Sequence, residues 1–102
     1  MRRGEVWWVG EPSGAMRPYL VLTRQAAIPV LHSVIVVPAT RTVRGIPTEV
    51  ELDQSDGMPD ACSLSLDSLT LVPKQLFKRW ICTLDDVRVR AVCAALREAV
   101  EC

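Results

Sequence analysis

Apolar residues fall in short blocks along this chain, alternating with polar and turn-forming positions, and only the last segment changes to a helical period. Gly4–Val9 predicts a first strand, with Val6 and Trp8 on one face and Trp7 and Val9 on the other. Gly10–Met16 contains Pro12 and Gly14 and reads as a loop. Arg17–Thr23 predicts a second strand, with Pro18 near its start where a missing N–H is tolerated. The third, Ser33–Ala39, is apolar on both faces through its VIVV core, as a central strand is. Gly45 and Pro47 turn the chain within Thr42–Pro47, Thr48–Leu52 alternates like a half-exposed strand, and Asp53–Asp60 is a polar loop. Cys62–Leu66 and Leu69–Val72 are further strands divided near Asp67; Lys74–Phe77 suits a helical turn before a last strand, Arg79–Thr83. In the final segment Val89, Val92, Cys93, Leu96 and Val100 mark one apolar face of a helix. Thr83 with Asp86 resembles its capping pair, and Asp85 suits its positive N-terminus. Leu76, Phe77 and Trp80 are expected to pack beneath that helix, and of the adjacent Trp7 and Trp8 one is expected in the core and the other at an interface. The pattern predicts one mainly β domain over residues 1–102, a small, strongly bent antiparallel barrel with a C-terminal helix.

Composition narrows the class. A chain of 102 residues with 49% hydrophobic content holds one core and is too apolar for disorder, with apolar surface to spare for a subunit interface. No run approaches the roughly 18 apolar residues of a membrane span. The opening MRRGEVWWVGEP has no signal-peptide core, so a cytoplasmic location is expected. Cys62, Cys82, Cys93 and Cys102 show no C-x-x-C spacing and His32 is the only histidine, which argues against a zinc site. Cys62 and Cys82 are expected as buried reduced thiols in strands, Cys93 on the helix, and Cys102 as an exposed terminal thiol.

Formal net charge is zero, but it is unevenly spread. Residues 1–50 carry six arginines (Arg2, Arg3, Arg17, Arg24, Arg41, Arg44) against Glu5, Glu11 and Glu49, a surplus of three positive charges that the second half reverses. Arginine forks suit phosphate. A local cationic groove fits this distribution; tight non-specific polyanion binding does not.

Three pieces carry a resemblance: GEVWWV at Gly4–Val9, RPYLVLTR at Arg17–Arg24, and SVIVVPATRTVRGIP at Ser33–Pro47. In this order they resemble the MazF/PemK family of toxin endoribonucleases. There a G-[DE]-[IV]-W-x-V strand is followed by an Arg-Pro opening a β-branched strand, then by a strand ending in a small residue and Thr. The resemblance implies an SH3-like barrel with a C-terminal helix, acting as a homodimer. It also implies metal-independent, sequence-specific cleavage of single-stranded or loop RNA to 2′,3′-cyclic phosphate and 5′-hydroxyl ends, with no cofactor. A small cognate antitoxin would lay an acidic, apolar segment over the cationic groove. The competing class is a non-catalytic binding module, or a related toxin acting on a protein such as DNA gyrase.

Such chemistry needs a group to take the 2′-hydroxyl proton, donors for the charged phosphorane, and a proton for the 5′-oxygen. Arg17, at a loop-to-strand junction, suits charge stabilisation, with proton donation a secondary role. Thr40 has the parity of Val34 and Val36 and can present its hydroxyl where the strand ends; the resemblance makes it the partner of Arg17, with Thr42 a nearby alternative. His32 precedes the third strand and reads as a polar loop residue. Asp67 is the candidate acid or base, or else organises the bend beside Ser68. Where part of the family has a basic or amide residue two positions before that acid, this chain has Ser65, so a charged pair does not transfer. Ser65, Ser68 and Thr42, with Arg24, Arg41 and Arg44, are the candidate RNA contacts. The loop between the first two strands is short for the family, which implies a more open site.

Overall fold

The computed structural model describes residues Met1–Glu101; the expectation for Cys102 lies outside them. Seven strands follow in order: β1 (Glu5–Gly10), β2 (Met16–Val21), β3 (Ser33–Thr40), β4 (Glu49–Leu52), β5 (Cys62–Ser65), β6 (Thr70–Pro73) and β7 (Phe77–Thr83), and the helix α1 (Asp86–Val100) completes the fold. All pairs are antiparallel, in the order β4-β5-β3-β2-β1-β7, with β6 also on β3. The expected mainly β architecture with one terminal helix is therefore present. The sheet bends like an SH3 barrel without closing, because β4 and β7 do not pair.

The long apolar β3 organises the sheet. Val36 pairs with Val21 of β2 and with Thr70 of β6, so those strands flank opposite edges of β3. The β6 edge continues as β5, opposite Ala39 and Thr40, once a 3₁₀ turn at Leu66–Ser68 has interrupted it. That turn is the division expected near Asp67.

Alternation sends side chains into two cores. One gathers Val6, Leu20, Val37, Leu52, Leu64, Leu66, Cys82 and Leu84 under Val92 and Ala95 of α1. The other holds Val9, Tyr19, Val21, Ile28, Val34, Val36 and Val72 on the opposite face. Trp7 packs against the second core, edge-on to Phe77 with ring centroids 6.2 Å apart. Cys62 and Cys82 are buried free thiols, and Cys93 is a half-buried free thiol on α1.

Three expectations about the C-terminal part are corrected. Leu76 and Phe77 join the second core, away from the helix, and Trp80 stays 51% exposed. Phe77 and Trp80 pair with Val9 and Trp7 of β1, which sets them on the side of the second core. The helix cap is Asp85, whose carboxylate accepts from Arg88 N at 2.9 Å, so Thr83 remains in β7 and caps nothing. Val100 is 52% exposed; Val92 and Ala95 are the buried helix residues, flanked by the partly buried Val89, Leu96 and Ala99. No helix among the described residues is long and apolar enough to cross a membrane.

Candidate active site

Two prolines open the site. The β2–β3 ladder ends at Tyr19↔Pro38, since neither Pro18 nor Pro38 has an N–H to donate. Beyond that pair, Arg17 of β2 and Thr40 of β3 both border the opening. Here the chain leaves a cleft of about 380 Å³. Its walls are Trp8, Glu11 and the segment from Ala15 to Pro18 on one side, Ala39, Thr40 and Arg41 at the end of β3, and the segment from Met58 to Cys62 opposite. Trp8 is thus the wall-forming member of the tryptophan pair.

Arg17 is half-exposed and its Nε lies 3.9 Å from Glu11 Oε1. The Tyr19 hydroxyl donates to the other oxygen, Glu11 Oε2, at 3.2 Å. Burial, and then the charge and hydrogen bond of Glu11, push the Tyr19 phenol above its ordinary pKa. Thr40 Oγ1 accepts from Thr42 N at 3.2 Å, which holds the chain as it leaves β3. At the rim, Arg41 Nη2 is 3.7 Å from Asp60 Oδ2, both side chains well exposed.

Of the residues singled out in the sequence, Arg17, Thr40 and Arg41 meet in this cleft. The others lie elsewhere. Asp67 sits in the 3₁₀ turn after β5, where Thr48 Oγ1 donates to its Oδ2 at 2.6 Å, and it does not line the cleft. Ser65 is buried, with its hydroxyl turned to Ser68 at 3.4 Å. Arg44 spends its fork and backbone N–H on Glu49, whose side chain is only 2% exposed and also accepts from Ser63. Arg24 is exposed at the head of the 3₁₀ turn Gln25–Ala27, and His32 borders a separate hollow with Pro29 and Lys74. Glu11 is the cleft residue that sequence reasoning passed over. Among the described residues no group of three or more His, Cys, Asp or Glu side chains is placed to hold a metal ion.

The chain resembles known proteins along nearly its whole length. It is 43% identical over 101 residues to the probable endoribonuclease MazF5 of Mycobacterium tuberculosis, covering 98% of this chain and 93% of that one. It is 38% identical over 103 residues to the probable endoribonuclease MazF2 of the same organism, with both chains covered completely. The solved Mycobacterium tuberculosis toxin MazF-mt6 superimposes with a TM-score of 0.87 at 31% identity, covering 95% of this chain and 96% of that one. A mycobacterial endoribonuclease solved with its cognate antitoxin gives a TM-score of 0.90 at 22% identity, covering 99% of this chain and 95% of that one, a likeness of fold. Residues 2–100 match the model of the PemK-like, MazF-like toxins of type II toxin–antitoxin systems, and with the cleft built on Arg-Pro and strand-end Thr, the chain belongs to that family.

Proposed function

We propose that this protein is a metal-independent, sequence-specific endoribonuclease toxin, cytoplasmic and homodimeric, whose single domain cleaves single-stranded or loop RNA and is neutralised by a cognate antitoxin. The observation that carries this reading is that Arg17 and Thr40 line one cleft, in a family whose relatives are named as endoribonucleases.

Attack of the 2′-oxygen on phosphorus places extra negative charge on the two non-bridging oxygens. The half-exposed fork of Arg17 can donate to them in parallel, and that contact strengthens as charge builds toward the transition state. The Thr40 hydroxyl, held by the Thr42 N–H, suits a hydrogen bond to the same phosphate or to the 2′-hydroxyl. Arg41 extends positive charge along the rim, and Trp8 offers a wall for a flanking base. The Arg44 side chain is already engaged by Glu49 and the Ser65 hydroxyl by Ser68, so neither is free for the scissile phosphate. Asp67 organises the Thr48 side of the bend, and Ser68 and the exposed Arg24 and Thr42 remain for contacts with RNA beyond the cleft. An antitoxin segment rich in carboxylates would meet the same arginines and block the cleft.

The test is incubation of purified protein with total bacterial RNA in EDTA, beside Arg17→Ala, with sequencing of new 5′-hydroxyl ends. Discrete ends made by the wild type alone are expected. Their absence from folded, antitoxin-free protein overturns the enzyme reading and favours a binding module.

A further inference from the structure

Cleavage through a 2′-hydroxyl requires a proton acceptor, and the four candidates in the fold differ sharply. His32 borders another hollow, and Asp67 already accepts from Thr48 away from the cleft. Two carboxylates line the cleft, Glu11 and Asp60. Asp60 stands at the rim, 67% exposed and turned to Arg41.

Glu11 is held at every point. Its N–H donates to Ala15 O at 2.8 Å and its carbonyl accepts from Gly14 N at 2.9 Å, so the short β1–β2 turn fixes its backbone. Its side chain is gripped from one strand, by Tyr19 at Oε2 and Arg17 at Oε1, two residues that share a face of β2. Tyr19 is itself only 8% exposed, so the grip comes from the core. A carboxylate fixed beside the phosphate-binding arginine is pre-organised for proton transfer.

We propose that Glu11 is the general base of the cleavage step and that Tyr19 is the positioning residue that aims it. This rests on the reading of the protein as an RNA-cleaving toxin. Glu11 takes the 2′-hydroxyl proton, and the freed electron pair forms the O2′–P bond. The P–O5′ bond breaks with its pair, and the 5′-oxygen takes a proton from solvent, to which Glu11 returns its own. The charged groups lining the cleft with Glu11 are Arg17 on β2, Arg41 after β3 and Asp60 before β5, and the Cys62 thiol and the Tyr19 phenol are its neutral titratable neighbours.

The experiment is single-turnover cleavage, as a function of pH, of an oligoribonucleotide spanning a site mapped with the wild type. Glu11→Gln keeps an oxygen for the Tyr19 hydroxyl, so the fold is retained, as a thermal melt will check. Its rate is expected to fall about 100-fold or more, the order of a lost general base. The acid limb of the wild-type profile should vanish, while binding of the same oligonucleotide carrying a 2′-deoxy scissile nucleotide holds or tightens. Tyr19→Phe is expected to lose roughly tenfold or less in plateau rate and keep the acid limb. Wild-type rates in Glu11→Gln, or an acid limb erased by Asp67→Asn and kept in Glu11→Gln, overturn the assignment while leaving the enzyme reading intact. A wild type as silent as Arg17→Ala overturns the enzyme reading and the assignment together.

Discussion

In the proposed cleavage Arg17 works by shape as well as charge. A guanidinium can place two parallel N–H bonds on the non-bridging oxygens of one phosphate, whereas a lysine offers a mobile point charge. Arg17→Lys is therefore expected to retain RNA binding but lose about 10²-fold or more in cleavage rate, as when one charge-stabilising donor is removed. Single-turnover rates beside a binding isotherm separate the two effects; equal rates in both proteins would reduce Arg17 to an electrostatic contact. Thr40→Ser should stay active and Thr40→Val should not in the same single-turnover assay, because the proposed contact to the phosphate or 2′-hydroxyl uses the hydroxyl. These two positions were legible in the sequence because each sits at the end of an apolar strand inside a recognisable motif. Glu11 was not, for a physical reason. It lies in a turn, outside any periodic pattern, and its role depends on a tyrosine eight positions later that reads simply as a β-strand core residue.

The strands were legible to within a residue or two, since alternating apolar blocks bounded by Gly, Pro and Asp leave few alternatives. What sits between them was legible only in part: the helical turn expected at Lys74–Phe77 is present at Lys74–Leu76, but other turn geometry depends on contacts distant in sequence. The loop after β4 is the clearest case. Asp53 caps a 3₁₀ turn at Gln54–Asp56 in a reciprocal capping box, and Gly57 ends the turn with φ +95°. Arg88 of α1 then reaches Asp56 at 2.9 Å, tying the helix to the loop that walls the cleft. Gly57 has two reasons to be glycine: its left-handed backbone, and Cys82 Cβ, which an added Cβ would meet at 2.7 Å. Gly57→Ala is expected to cost about 2–4 kcal/mol from left-handed strain and overpacking together. A lower urea midpoint at unchanged m-value would show it; a loss below about 0.5 kcal/mol would mean the loop yields freely. Asp85→Ala, which removes the helix cap, should cost a milder ~1 kcal/mol in the same measurement.

Three protons bind the cleft to the two cores. Burial, then the charges of Asp56 and Cys62, push the Cys82 thiol up from 9.0 to about 11. Burial, then Asp56 and Asp60, raise Cys62, while burial, then Glu11, raises Tyr19. All three groups are neutral when protonated, and the fold favours that form in each. As pH climbs through the ordinary thiol value, the unfolded chain gives up these protons first and the folded chain keeps them. The native state then binds more protons than the unfolded one, so unfolding free energy decreases with rising pH. For Cys82 alone the window runs from about 9 to about 11, and the loss across it is roughly 2 kcal/mol. Urea denaturation across that window should therefore show a steadily falling midpoint. Cys82→Ala should flatten part of the slope and leave the share due to Cys62 and Tyr19. A midpoint that stays level would mean solvent reaches these thiols in the native state. The consequence reaches function because Cys62 lines the cleft and Tyr19 grips Glu11. Alkaline loosening should thus cost cleavage activity before the helix melts, and parallel assays of cleavage rate and helical circular dichroism along the same pH series would separate the two events.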